Sequence, residues 1–241
     1  MSRIWFTSDT HFGHGNIIKY CNRPFLADVD KEALEANGGQ WHDGNWKGDF
    51  ASDWRMSREA VDMMNDTIID GINANVGTDD TLWHLGDFCF APKQRYGEFA
   101  KRYRDRINCK HVNIVWGNHD RRREMGGLFE REYDLVTVDV TGQRARIVVC
   151  HYALAVWDGS HRGNWNLYGH SHVNAEKWMD EHMPSRKSMD VGVDNAYRLL
   201  GEFRPFSLEE DIRPMIMSKL GHTMDQHIPK DSQEPAEEDI L

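Results

Sequence analysis

Five times along this chain, a run rich in β-branched and aromatic residues ends in a polar cluster. The clusters are Asp9-Thr10-His11, Gly86-Asp87, Gly117-Asn118-His119-Asp120, His151 and Gly169-His170-Ser171-His172. The runs before them, such as Val112-Asn113-Ile114-Val115-Trp116, read as buried strands. One polar turn at one strand end is only a turn. Five of them can converge on one edge of a sheet, and any fold for this chain has to account for their coincidence.

The clusters share a chemistry. Asp9, His11, Asp87, Asn118, His151, His170 and His172 offer carboxylate, amide and imidazole groups, and no thiolate. That donor set suits Mn²⁺, Fe, Zn²⁺ or Mg²⁺ and disfavours copper-thiolate and iron–sulfur chemistry. Asp9/His11 and His170/His172 are spaced i, i+2, which in an extended segment turns both side chains to one side. Seven donors exceed what a single ion uses. The economical reading is two ions about 3.5–4 Å apart sharing one carboxylate, and Asp87 is the natural bridge. A water held between two such ions ionises near neutral pH and can attack phosphorus in line.

His119 is left over as a non-ligand placed to protonate a leaving oxygen, a role typically worth ~10²–10⁴-fold. Asp120 has two readings: it orients His119, or it caps the turn and pairs with the arginines that follow. Among those, Arg121 and Arg122, with Arg162 further on and Asn118 itself, are the candidate substrate contacts, because guanidinium suits phosphate. Arg123, His14 and His161 are weaker candidates for the same cleft. His84, inside a strand-like run, reads as a core histidine. Gly86, Gly117 and Gly169 read as backbone devices that bring the ligand turns close.

The rest of the chain is framework. Asn16 can cap a short helix with Ile17, Ile18 and Cys21 inward. Residues 28–57 hold Gly38-Gly39, Gly44 and Gly48 among Trp41, Trp46 and Trp54. This is either an ordered surface loop, a candidate lid, or tryptophans folded back on the core. Val61, Met64, Ile68 and Ile72, with Ser57 as cap, predict an amphipathic helix. Pro92 can open another, with Tyr96, Phe99, Tyr103 and Ile107 inward. Leu135 to Val140 and Arg144 to Val149 predict a hairpin around 141–143, and Met189 to Val193 a late strand. Ser207-Leu208-Glu209-Glu210 reads as a capping box whose helix Pro214 should end or kink.

With 241 residues, the chain suits a single domain over 1–220, followed by an acidic tail, 221–241, expected to be disordered. A net charge of −10 argues against an extended nucleic-acid surface, though not against a metal-lined cleft that admits phosphate. None of the four cysteines forms a CxxC pair, so reduced thiols are expected. No apolar run is long enough for a membrane span, and no secretory pattern precedes Arg3-Ile4-Trp5-Phe6, so a cytoplasmic location is expected.

Taken together, Asp9-x-His11, Gly86-Asp87, Gly117-Asn118-His119-Asp120, His151 and Gly169-His170-Ser171-His172 resemble the signature blocks of the calcineurin-like metallophosphoesterase superfamily, in its order. Phe12-Gly13-His14-Gly15-Asn16-Ile17-Ile18, Met189 to Asp194 and Ser207 to Glu210 resemble its compact bacterial and phage members. The resemblance implies an α/β fold, a two-sheet β-sandwich flanked by helices in four αββα layers. It implies a dinuclear centre, with Asp9, His11, Asp87 and His172 around one ion and Asp87, Asn118, His151 and His170 around the other. Mn²⁺ is the first choice of metal, with Fe, Zn²⁺, Ni²⁺ and Mg²⁺ as alternatives, and His119 is the proton donor. The expected activity is hydrolysis of a phosphoester, leaning to a diester of a small or nucleotide-like substrate. A phosphomonoesterase, a protein phosphatase and a nuclease are the alternatives, and a catalytically silent metal-binding scaffold is the alternative of another class. The gap between Asp9 and Asp87 is longer than in the smallest members, which weakens substrate assignment by analogy.

Overall fold

The computed structural model describes residues 2–43, 45–140 and 145–219. The turn of the expected hairpin, 141–143, and the acidic segment 221–241 lie outside the described residues. In chain order the elements are β1 (Ile4–Thr7), α1 (Gly15–Tyr20), α2 (Asp28–Ala36), β2 (Gln40–His42), β3 (Asn45–Lys47), α3 (Arg58–Asn75), β4 (Thr81–His84), α4 (Tyr96–Arg104), β5 (His111–Val115) and α5 (Arg122–Met125). They continue with β6 (Arg131–Tyr133), β7 (Leu135–Val138), β8 (Ile147–Cys150), β9 (Trp165–Tyr168), α6 (Asn174–His182), β10 (Ser188–Asp190), α7 (Val193–Leu200), β11 (Phe206–Ser207) and α8 (Arg213–Met217).

Two sheets carry the fold. The first runs β11-β1-β4-β5-β6, with β1, β4, β5 and β6 parallel and β11 antiparallel at the edge. The second runs β10-β9-β8-β7, with β10, β9 and β8 parallel and β7 antiparallel. Parallel strands deliver all their carboxyl ends to the same edge, where open α/β sheets build their sites. Phe6, Trp83, Leu85 and Val115 from the first sheet pack against Ile147, Val149, Trp165, Leu167 and Met189 from the second. The other face of the first sheet (Trp5, Leu82, Val112, Ile114) is covered by Met64, Ile68, Ile69 and Ile72 of α3 and by Tyr96, Ala100 and Tyr103 of α4. On the far side of the second sheet, α6 is tied to β9 by Tyr168, whose hydroxyl donates to Glu176. The layers are therefore helix, sheet, sheet, helix, as the resemblance implies.

Several local readings are corrected. Gly15, not Asn16, begins α1, and its cap is His14, whose side chain makes no capping bond. For the Gly/Trp-rich stretch, the reading with tryptophans folded back on the core holds: the stretch forms α2 and the β2–β3 hairpin, Trp46 is buried in the core with its indole N–H donating to the Arg23 carbonyl, and Trp41 and Trp54 pack against that core. Half-buried Trp54 likewise donates its indole N–H, to Asp30 Oδ1 at 3.1 Å, and a satisfied N–H is what lets a tryptophan pack inward. The late strand stops at Asp190, and Val193 already opens α7. The strand β6 has too few apolar residues to announce itself; it exists because β5 offers it a free edge.

The Ser57 cap is as expected, its hydroxyl accepting from the Ala60 N–H at 3.1 Å. Ser207 likewise accepts from the Glu210 N–H at 3.2 Å, but the reciprocal carboxylate is Asp211, which takes the Ser207 N–H at 2.7 Å. Pro214 neither ends nor interrupts the helical run: residues 208–212 form a wider π turn, and α8 starts with the proline in its first turn. Proline's ring collides with the carbonyl four residues back in a regular helix, and a wider turn ahead of it removes that collision. Among the described residues, no helix is long and apolar enough to cross a membrane. Cys89, Cys109 and Cys150 are buried and Cys21 half-buried, all as free thiols.

Candidate metal centre

The sheets meet where the polar clusters lie. Ser8, just past β1, bridges in parallel to Gly192, just past β10, and the Val193 N–H donates to the Ser8 carbonyl at 3.1 Å. The turns after β1 and β4 run as a hydrogen-bonded pair, Asp9 N–H to Gly86 O and His11 N–H to Asp87 O, both 3.0 Å. The turn after β9 is held to the end of β8 by the Gly169 N–H donating to the His151 carbonyl at 2.9 Å. A Cβ at Gly117 would collide with the Asp87 carboxylate, and one at Gly169 with Ser8 and Asp9, so only glycine lets these turns approach so closely.

The backbone is strained at the donors themselves. Eight described non-glycine residues have positive φ, and five of them are Asp9, His11, Asp87, His170 and His172. Left-handed backbone outside glycine costs of order 1–3 kcal/mol per residue and collects at functional sites. Here it falls at the turns after β1, β4 and β9, which carry five of the seven donors.

Ligand atoms gather into two groups, each within 4.8 Å: Asp9, His11 and His172, and Asp87, His151 and His170. Asp87, a member of the second group, also faces the first, its Oδ2 3.6 Å from His11 Nε2 and 3.5 Å from His151 Nε2. Asn118 Oδ1 stands 3.2 Å from His151 Nε2. The ring of His151 is oriented by its Nδ1–H, which donates to the Leu85 carbonyl at 2.6 Å, so Nε2 faces the other acceptors.

The chemistry of this group calls for a cation. Asp9 Oδ1 and both ring nitrogens of His11 are buried with no hydrogen-bond partner among the described residues. Buried polar atoms left unpaired cost about 1–3 kcal/mol each, so the arrangement is unfavourable without a further group. Burial opposes charge on His151, but the Asp87 and Asp9 carboxylates and the Leu85 carbonyl push its pKa up to about 9. Burial likewise raises the pKa of Asp9. For Asp87, burial would raise the pKa, yet His151, His11 and the His119 N–H hold it well below the usual carboxylate range. Acceptors facing acceptors around an ionised carboxylate fit a divalent ion, and nitrogen and oxygen donors fit the borderline metals.

One set of residues had no role in the sequence reading. His172 Nδ1–H donates to Asp194 Oδ2 at 2.7 Å, and Arg23 clamps Asp194 with two bonds of 2.8 and 2.9 Å. Arg23, itself buried, also donates to the Asp9 carbonyl at 2.8 Å. Burial would raise the Asp194 pKa, but Arg23 and His172 hold it well below the usual range. The imidazole is thus fixed with Nε2 left for a metal, the arrangement common behind metal-bound histidine. Cys21 lies with His172 and Asp194 within 4.8 Å, but Asp194 is already committed to Arg23. Asp190 performs a related task, accepting from Ser171 Oγ at 3.0 Å and from the Val173 N–H at 3.2 Å, which secures the His170–His172 turn. Replacing Asp194 by Asn is expected to weaken metal binding about 10–100-fold. Titration of the apoprotein with Mn²⁺ checks this, and an unchanged affinity would remove Asp194 from the centre.

The remaining candidates sort by contact. His119 is exposed beside the cluster, its ring edge-on to His11 at 5.4 Å between centroids. Its backbone is pinned on both sides, N–H to Asp87 Oδ1 at 2.9 Å and carbonyl accepting from Tyr96 Oη at 3.0 Å. Asp120 does not reach that ring. Its carboxylate accepts the Asp87 and Gly117 N–H groups on Oδ2 and the Phe88 N–H on Oδ1, all at 2.9 Å, which braces the turns. The expectation that it orients the His119 imidazole gives way to orientation through backbone. Burial pushes the Asp120 pKa up to about 6, against the three N–H donors.

Arg122 pairs with Asp134 and lies over Trp116, Arg121 lies over the Tyr96 ring, and Arg162 is 3.8 Å from Asp158. None of these three hydrogen-bonds a candidate ligand. His14 does join the site, 5.5 Å from the His11 ring. His84 is a satisfied core residue: the Gly86 N–H donates to Nδ1, Thr10 Oγ1 lies 3.0 Å from Nε2, and burial pulls its pKa down to about 3.

An uncharacterized protein of Methanocaldococcus jannaschii, MJ1445, is 27% identical over 229 residues, covering 93% of this chain and 97% of its own. Among solved structures, AQ665 of Aquifex aeolicus, a protein of unknown function, superposes with a TM-score of 0.55 at 19% identity, over 87% of this chain and 97% of that one. An archaeal phosphodiesterase is matched over 83% of this chain and 88% of that one, at 17% identity and a TM-score of 0.37. The family model for calcineurin-like phosphoesterases spans residues 2–208, from the first strand through the last donor turn to the cap of the C-terminal helix. This chain belongs to the calcineurin-like phosphoesterase family and is a metallophosphoesterase.

Proposed function

We propose that the chain is a cytoplasmic phosphodiesterase that holds two divalent ions, Mn²⁺ foremost, and hydrolyses a small or nucleotide-like diester. The observation that carries this reading is Asp87 Oδ2, 3.6 Å from His11 Nε2 and 3.5 Å from His151 Nε2, facing donors of both groups. A carboxylate so situated suits two ions about 3.5–4 Å apart. When bound, such ions lower the pKa of a water and neutralise phosphoryl oxygens.

The chain's own groups then divide the work. Asp9, His11 and His172 would hold one ion, His151, His170 and Asn118 the other, and Asp87 would serve both. Asp194 and Leu85 keep the two imidazoles turned inward through their Nδ1–H groups. His119, fixed by backbone on both sides, donates its proton to the leaving oxygen. The preference for a diester follows from charge. A monoester dianion is usually gripped by guanidinium groups. Here Arg121 lies over the Tyr96 ring, Arg122 pairs with Asp134 and Arg162 stands 3.8 Å from Asp158, none of them in hydrogen-bond contact with a candidate ligand, which supports a singly charged diester.

The test compares bis(p-nitrophenyl) phosphate with p-nitrophenyl phosphate, in Mn²⁺ and in chelator. Cleavage is expected in Mn²⁺, faster for the diester, and abolished by chelation. A metal-loaded protein that cleaves neither ester contradicts the hydrolase, and one that prefers the monoester contradicts the substrate class.

A further inference from the structure

Two large aromatic rings stay bare at the rim of the metal centre. Phe90 is 42% exposed and Tyr152 45% exposed. Phe90 stacks on His14 at 4.2 Å and meets His119 edge-on at 5.8 Å. Tyr152 stands edge-on to His151 at 5.0 Å and to His170 at 4.8 Å. One ring therefore adjoins the proton donor and the other adjoins the opposite group of donors.

Both are set on rigid backbone. Tyr152 directly follows His151 at the end of β8. Phe90 is three residues past Asp87, and its N–H donates to the Phe12 carbonyl at 2.9 Å. Each ring keeps part of its surface uncovered, Phe90 on the side away from His14, and a held, uncovered ring face is one that a second planar group can stack on at little entropic cost.

We propose that Phe90 and Tyr152 are the stacking surfaces for the two substituents of the diester, and that the substrate is a nucleoside phosphodiester. This rests on the phosphodiesterase reading above and names its substrate class. Phe90, beside His119, takes the ring of the leaving alcohol. Tyr152, beside His151 and His170, takes the base on the retained side. A ring face stacks on any base, so the selection these two surfaces supply is for planarity. Stacking of a base on an aromatic side chain typically changes binding by about tenfold or more when the ring is removed.

The experiment uses the full chain loaded with Mn²⁺ and two esters that share one leaving group: thymidine 5′-(p-nitrophenyl phosphate) and ethyl p-nitrophenyl phosphate. The protein is expected to favour the nucleoside ester by about tenfold in kcat/KM, mostly through KM. Tyr152→Leu, which keeps apolar bulk and loses the ring, should bring that ratio close to one. Phe90→Leu should raise KM for both esters, because both carry the p-nitrophenyl ring. Metal content is measured for every variant. Equal kcat/KM for the two esters in the unsubstituted protein overturns the inference, as does a ratio that survives Tyr152→Leu. Loss of metal in the variants also overturns it, since the rings would then be shielding the ligands. If neither ester is cleaved, the phosphodiesterase reading itself falls, an outcome distinct from cleavage without preference.

Discussion

Asp87→Ala protein is expected to fold, to bind less metal, and to lose at least the ~10²–10³-fold in kcat that removing one preorganised electrostatic group typically costs. The reason lies in how many partners this carboxylate serves. Oδ2 faces His11 and His151 at 3.6 and 3.5 Å, and Oδ1 accepts the His119 N–H at 2.9 Å. Removing it takes a shared ligand from both donor groups and frees the backbone of the proton donor. The fold should survive, because the core on both faces of the first sheet is apolar and does not involve this side chain. Metal per chain, measured on the purified protein beside the diester rate, decides the matter. An Asp87→Ala protein that kept its full metal complement and its rate would show that the carboxylate is not shared.

The complementary expectation concerns His119→Ala, which should keep metal binding and lose rate selectively. The ring makes no hydrogen bond among the described residues and touches the cluster only edge-on through His11. Its loss should therefore cost about 10²–10⁴-fold on esters with poor leaving groups, where the departing oxygen needs a proton. On p-nitrophenyl esters the loss should be far smaller, because p-nitrophenolate departs unprotonated. A plot of log kcat against leaving-group pKa should be steeper for the variant than for the unsubstituted protein. Parallel lines would falsify the proton-donor role, and emptying of the metal site would make His119 a ligand instead.

Asp120 illustrates where local reasoning reached its limit. Its position next to His119 suggested that it orients that ring, but the carboxylate of this adjacent residue bonds instead to the N–H groups of its own turn and of the Asp87 turn. Arg121, Arg122 and Arg162 show the same limit: residue type suggests phosphate, and only the fold reveals Tyr96, Asp134 and Asp158 as their neighbours. By contrast, Ser57 and the α3 stripe were legible because capping and helical periodicity act within a few residues.

The identity of the donors and their attachment to strand ends were written in the chain itself. Strand period, the turn glycines and the chemistry of Asp, Asn and His are local properties, read over a handful of positions. The convergence of those donors was decided elsewhere. Arg23 and Asp194 are 171 residues apart, and His172 owes its orientation to their pairing. Asp87 faces donors of both groups because the first and second sheets join at Ser8 and Gly192. The left-handed backbone of Asp9, His11, Asp87, His170 and His172 is unfavourable for each residue alone and persists because the surrounding hydrogen bonds over-determine it. Bonds between residues so distant in sequence leave no period in it, so pairing, strain and the shared carboxylate became visible only in three dimensions.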